Sequence, residues 1–456
     1  MSLRSKLQRL GSPAPAGGTG WARAPDALPP PSTEPTGAPR TQPSRVEPAD
    51  TPSERGDTLA ELRAKMQALL GRPPAGAPSV GTSAGAEAPP DEECSSSSGL
   101  GELPFVEVDL GGEVLLQRIE PLPPSARVGR VSIDTAGFAS AEMLALLGLD
   151  PTLADCDPRG ALYLDTETTG LGGSGSLAFL VGLCWYDESQ GWTLEQLLLR
   201  SPAEEVGLLR RVTELLERSS MLVTYNGKSF DRPLLDTRLL MNRMPALPAR
   251  PHLDLLSVAR RLHKRRLGGC RLVHLESEVL GWQRNEDDIP GAEIPPRYGH
   301  FLRTGDGEVL RPIVDHNAWD VMSMAALVGL YGEPLPALHC EDLVSLARTL
   351  RRAGAMDRAW QVADAALAGG AGPEALRARG EIAKARGDKA LALRDFEALS
   401  AEVDDPSVRL ELAKLYEHHL REPRGALALV EAGTGEAEPA WVRRRERLAR
   451  KAARST

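Results

Sequence analysis

The chain has 456 residues, 63 Asp and Glu against 54 Lys and Arg, and a formal net charge of −9. That length accommodates two or three domains and at least one sizeable core. The acidic balance excludes a global electrostatic pull on nucleic acid, so any such contact must come from a local basic patch.

Five cysteines (Cys94, Cys156, Cys184, Cys270 and Cys340) stand apart, with no CxxC and no Cys/His pairing. This argues against a zinc ribbon or a disulfide framework and for a reducing compartment. Neither the N-terminal MSLRSKLQRLGSPAPAGG nor any later run has the apolar length of a signal or membrane segment, so a cytoplasmic location is expected.

Residues 1–100 are dominated by Pro, Gly, Ala, Ser and Glu, with Trp21 as their only aromatic. Such a segment buries too little apolar surface to offset its ordering entropy, and a disordered tail is expected. Two related amphipathic pieces punctuate it, LRSKLQ at 3–8 and LRAKMQ at 62–67. The second carries a capping-box pattern in Thr58 and Glu61, an apolar face of Leu59, Leu62, Met66 and Leu69, and a terminating Gly71. They read as partner-docking peptides or as transient helix alone.

Residues 101–154 lead into the core, with apolar runs around Gly111-Gly112 that predict a hairpin. ALYLDTETTGL, the glycine-rich GGSGS turn, SLAFLVGLCWYD and WTLEQLLL then give three strand-like runs at short spacing. A helical stretch around 203–218, a strand over 221–227 and a helix from about 231 follow, the pattern of an α/β domain over 155–335.

The run LYLDTETTG places Asp165 and Glu167 one residue apart at the end of an apolar strand. On a strand both side chains point to one face. Two carboxylates so aimed repel unless positive charge lies between them, and hard divalent cations take oxygen ligands. The pair alone is not decisive, because acids are common at wet strand ends. NGKSFD at 226–231 adds Asp231 at a helix start, where a helix cap is the competing reading, with Asn226 and Lys228 in the turn before it. DHNAWDVMSMAALVGL adds His316 and Asp320, four apart on one helical face, with a solvated face as the competing reading.

Together the three segments resemble the exonuclease motifs of the DEDD superfamily. DTETTG matches motif one, NGKSFD motif two and HNAWD motif three. RNEDDIPGAEIPPRYGHFLRTGD at 284–306, followed by HNAWDV, is similar to the YprB-like branch of that superfamily, and the likeness covers about 155–331. The resemblance implies a ribonuclease H-like mixed sheet flanked by helices. It also implies two Mg²⁺ or Mn²⁺ ions held by Asp165, Glu167, Asp231 and Asp320 for in-line phosphodiester hydrolysis, usually from a 3′ end. His316 departs from the histidine-type spacing of five residues before the last Asp: four is the spacing at which tyrosine-type members carry Tyr. His316 is therefore read as either the general base or the positioner of the attacking water.

For the strand itself, VARRLHKRRLGGCR gathers Arg260, Arg261, Lys264, Arg265, Arg266 and Arg271 without an acid, a phosphate track or else a solvated helix face. Thr166, Asn226 and Lys228 beside the acids are further candidate contacts to nucleic acid, whereas Asp254 reads as a helix cap. Residues 340–435 contain no strand-like run. Their Ala359, Ala390 and Ala426, 31 and 36 residues apart, resemble a short tetratricopeptide-like all-α array. Residues 436–456 form a basic helix or tail. Two functions are expected from this order: a 3′ to 5′ exonuclease on single-stranded DNA or RNA, with a protein partner such as a helicase by family habit, or a catalytically silent nucleic-acid-binding adaptor. Four mutually repelling acids retained together weigh for the enzyme.

Overall fold

The computed structural model describes residues 103–110, 112–170, 175–284, 288–332 and 337–454. The expected tail, its two amphipathic pieces, Cys94 and most of the GGSGS turn lie outside the described residues. Among the described residues no helix is long and apolar enough to cross a membrane.

The strands are β1 (Val106–Asp109), β2 (Val114–Pro121), β3 (Arg127–Val128), β4 (Val131–Ser132), β5 (Ala161–Thr168), β6 (Ala178–Asp187), β7 (Gly191–Leu198), β8 (Met221–Thr224) and β9 (His252–Asp254). Seven form one mixed sheet in the order β1-β2-β7-β6-β5-β8-β9, and β3 and β4 pair separately. From β1 to β5 each neighbour is antiparallel, while β8 runs parallel to both β5 and β9. The β6–β7 turn is tight because Asp187 accepts hydrogen bonds from the N–H groups of Ser189 (2.7 Å) and Gln190 (3.0 Å).

Helices cover both faces, as the near-continuous apolar runs of β5 to β7 require. Leu162 and Leu164 join the core made with α2 (Glu205–Arg218), α3 (Asp231–Met241) and α5 (Ile294–Thr304). Ala161 and Tyr163 face the other core, with α1 (Ala141–Gly148), α4 (Leu255–Leu262) and most of α6 (Arg311–Gly332). By strand alternation Asp165 and Glu167 share the face of Tyr163, turned toward α6. A one-residue slip of β5 would move both acids to the face of Leu162 and Leu164, so apolar burial of about 1.5–3 kcal/mol per side chain also fixes the site's register.

The C-terminal region is helical: α7 (Cys340–Ala353), α8 (Met356–Ala368), α9 (Pro373–Arg386), α10 (Lys389–Glu402), α11 (Pro406–Leu415), α12 (Pro423–Glu431) and α13 (Glu438–Arg454). Neighbours pack as successive hairpins, with Gly354 (φ +93°) and Gly387 (φ +88°) supplying left-handed C-caps that L side chains disfavour. Ala390 is exposed, not packed between helices as its sequence alignment requires. The fully buried small residue of α10 is Ala392, which sits 33 residues after Ala359 and 34 before Ala426, both also fully buried. The Gly-Asp turn at 387–388 starts α10 two residues before Ala390, so that side chain lies on the first, solvated turn.

This region is anchored to the sheet domain by charge as well as by apolar contact. Asp342 of α7, 1% exposed, lies 3.0 Å from His263 Nδ1 and accepts two hydrogen bonds from Arg266 at 2.8 and 3.0 Å.

Candidate active site

The acids gather at the C-terminal ends of the parallel strands β5 and β8, where open α/β sheets place ligands. A cleft of about 270 Å³ there is walled by Asp165, Glu167, Asp231, His316 and Asp320, together with Thr166, Tyr225 and Asn226. A register irregularity between Glu167 and Thr168 ends the regular pairing with β6 at the cleft. Asp231 does not cap α3: Phe230 is the cap residue, and Asp231 stands in the first turn, where the helix dipole favours a carboxylate. On α6, His316 and Asp320 are one turn apart, with Nε2 of the imidazole 3.8 Å from Asp320 Oδ2.

The carboxyl groups are strained electrostatically. Burial, then Asp320, Glu167 and Asp231, hold Asp165 well above the usual carboxylate range, against one lowering hydrogen bond from Asn317. Burial pushes Glu167 up to about 7, with His316 opposing it. Burial likewise raises Asp231 to about 6, offset in part by the Thr166 hydroxyl, which donates to its Oδ1 at 2.6 Å. Thr166 thus touches an acid of the cleft from the neighbouring strand position.

Three side chains assigned no role from sequence complete the arrangement. Asn317, fully buried, donates to Asp165 Oδ2 (2.9 Å) and accepts from Gln196 Nε2 (3.0 Å). A Cβ at position 182 would collide with this amide, which accounts for Gly182 in the apolar run of β6. Arg284 is held by two 2.7 Å bonds to buried Glu276, whose Oε1 also accepts from Ser323 at 2.6 Å. From that anchor Arg284 ion-pairs with Asp320, and its Nη1 lies 3.0 Å from His316 Nδ1. Against the lowering effect of burial, the bonds to Glu276 and Asp320 raise the guanidinium pKa. Asp288 contacts His316 Nδ1 at 2.6 Å. The signal for this group was a polar stripe: His316, Asp320 and Ser323 fall at i, i+4 and i+7 on a helix that is otherwise largely apolar. Tyr298, by contrast, is structural, stacked on Phe179 at 3.9 Å and donating to the Leu199 carbonyl.

The loop before α3 is fixed by Asp254, which accepts from the N–H groups of Asn226 (3.0 Å), Lys228 (3.2 Å) and Leu256 (3.0 Å). It caps α4 and does not wall the cleft. Asn226 adopts φ +72° at the cleft wall, and Lys228 is exposed beside it. The basic run divides in three dimensions. Arg261 donates to the Leu147 carbonyl, Arg265 to Glu374 and Arg266 to Asp342, so these three serve the fold and its helical neighbour. Arg260, Lys264 and Arg271 are exposed.

A model of the RNase_H superfamily matches residues 162–331. Residues 162–331 are a ribonuclease H-like domain. The chain is 38% identical over 237 residues to the uncharacterized protein YprB of Bacillus subtilis (strain 168), across 50% of this chain and 55% of that protein, so it spans about half the length of this curated relative. A family B DNA polymerase from the hyperthermophilic archaeon Pyrobaculum calidifontis superposes with a TM-score of 0.31 and 14% identity, over 50% of this chain and 29% of its own, too slight a likeness to bear on the site.

Nucleases of the ribonuclease H-like superfamily generally use divalent metal ions. The donor chemistry of this ribonuclease H-like domain fits such an ion, since hard carboxylate oxygens are crowded without enough positive charge to neutralise them. Among the described residues no three His, Cys, Asp or Glu side chains yet converge on one ion-sized point. Asp320 turns toward Arg284 and Asp231 toward Thr166.

Proposed function

We propose that the chain is a metal-dependent nuclease of the DEDD type that hydrolyses phosphodiester bonds of single-stranded DNA or RNA from the 3′ end. The observation that carries this reading is the meeting of Asp165, Glu167, Asp231 and Asp320 with His316 at one cleft. The four acids would hold two Mg²⁺ or Mn²⁺ ions, which when bound neutralise phosphate charge and lower the pKa of water. Asn317 and Thr166 orient Asp165 and Asp231 for that task. His316 takes the proton of the water that attacks phosphorus, the P–O3′ bond breaks with its electron pair going to O3′, which takes a proton from solvent water, and a nucleoside 5′-monophosphate leaves a strand shortened by one and ending in a 3′-hydroxyl. Arg260, Lys264 and Lys228, exposed and without the internal partners of Arg261, Arg265 and Arg266, are the cations we assign to the strand's phosphates. The tetratricopeptide-like reading of the helical region belongs to the same proposal and is supported by the 33- and 34-residue spacing of its buried alanines; a protein partner such as a helicase is what the family resemblance implies.

The ion pair between Asp320 and Arg284 favours a second reading, in which the domain binds nucleic acid without cutting it. Degradation of 3′- and 5′-labelled DNA and RNA single strands in Mg²⁺ or Mn²⁺ separates the two. Metal-dependent shortening from the 3′ end that is lost in Asp165→Ala is the expected result. Binding without cleavage under either metal establishes the silent adaptor instead.

A further inference from the structure

Nδ1 of His316 has two neighbours that demand opposite things of it. Asp288 Oδ1 is 2.6 Å away and accepts only, whereas Arg284 Nη1 is 3.0 Å away and donates only. If Nδ1 carried a lone pair for Arg284, it would face the lone pairs of a carboxylate oxygen at 2.6 Å, an arrangement without a proton between the two atoms. Arg284 faces the same carboxylate, its Nη1 being 3.5 Å from that Oδ1 and its guanidinium permanently charged. The conflict resolves one way: the proton sits on Nδ1 and is donated to Asp288, while Arg284 spends its charge on the Asp288 and Asp320 carboxylates. In the neutral ring the second nitrogen, Nε2, is then left with its lone pair on the side of Asp320 and the cleft.

We infer that Asp288 is a positioning residue for His316, fixing the Nδ1–H tautomer so that Nε2 is free to accept a proton. The inference rests on the nuclease reading for its consequence, but the tautomer itself does not depend on catalysis. Asp288 is suited to a test because its side chain is 22% exposed and forms no part of the core. Removing it as Asp288→Ala leaves Arg284 as the only partner of Nδ1 among the described residues, so the proton should move to Nε2 and the base should be lost.

The experiment is long-range ¹H–¹⁵N correlation of the full chain labelled at histidine nitrogens, with His316 assigned by loss of its signal in His316→Gln. Wild type is expected to show Nδ1 protonated and Nε2 bare, Asp288→Ala the reverse, and Asp288→Glu a return toward wild type. Alongside, kcat on a labelled strand is expected to fall about 10- to 100-fold in Asp288→Ala with KM within a factor of two, the scale of losses on removing an outer-shell partner. A wild-type ring protonated on Nε2, or an Asp288→Ala ring unchanged from wild type, overturns the inference. If wild type cuts no strand yet the tautomer reverses on substitution, the positioning role stands and the nuclease reading falls.

Discussion

Glu167→Gln should make the protein more stable without metal and less responsive with it. Glu167 is 9% exposed, and its folded-state pKa is raised from 4.5 to about 7, chiefly by burial. A raised carboxyl pKa means the folded state keeps a proton that the unfolded chain has released, so this group's contribution is fully present below about pH 4.5 and is lost as pH rises toward 7. The shift corresponds to a cost on the order of 3 kcal/mol once the window is passed. Gln has the same shape and no proton to lose, so in EDTA at pH 8 the variant should be more stable by about that amount. At roughly 2 °C per kcal/mol for a chain of this size, its Tm should lie about 6 °C above wild type. Saturating Mg²⁺ should nearly close that gap, because an ion at a hundred times its Kd adds about 2.7 kcal/mol to the form that binds it, and the variant has lost one ligand. Differential scanning calorimetry of both proteins between pH 5 and 8, with EDTA and with Mg²⁺, reads all four conditions. A variant that melts below wild type in EDTA at pH 8 would refute the argument that burial and the neighbouring acids hold Glu167 in want of a cation.

Two further outcomes follow from the neighbouring contacts. Arg284→Met strands the buried Glu276 carboxylate and should cost roughly 3–5 kcal/mol in urea unfolding, most of it recovered by adding Glu276→Met; a single-variant cost below about 1 kcal/mol would remove Arg284 as the anchor. Arg260→Ala and Lys264→Ala should each reduce the salt dependence of single-strand binding by about one counterion with little change in Tm, whereas Arg266→Ala should lower Tm and leave the salt slope unchanged, because its charge is spent on Asp342.

The sheet was legible because its signals are local. Apolar runs of the right length mark β5, β6 and β7, and an acid placed two residues from another on a strand has its face decided by the pleat. His316 and Asp320 were equally readable, one helical turn apart. What escaped is what depends on partners far along the chain. VARRLHKRRLGGCR reads as one patch, yet Arg266 meets an acid 76 residues on and Arg265 one 109 residues on, and no local pattern tells a cation aimed at solvent from one aimed at a later helix. The repeat alignment erred for a related reason: a spacing in sequence does not say which of two nearby alanines a helix turns inward, and α10 turns Ala392.

Arg284 shows the limit most clearly, and also why it matters physically. Its anchor Glu276 lies eight residues before it, but its purpose is defined only where α6 brings Ser323, Asp320 and His316 around it. A fixed cation at that point partly neutralises a cleft whose other acids are pushed toward protonation: from the side of Asp320 it offsets Glu167 only in part, and the lowering contact of Asp165 is the neutral Asn317 amide. Positive charge is therefore still wanted on the β5 side of the cleft, which is where an incoming cation would be drawn, and binding it there requires no rearrangement of Arg284's own anchor. The asymmetry makes the order of events readable: Asp165 and Glu167 should respond to the first equivalent of metal and Asp320 only to a later one, once its pairing with Arg284 is outcompeted.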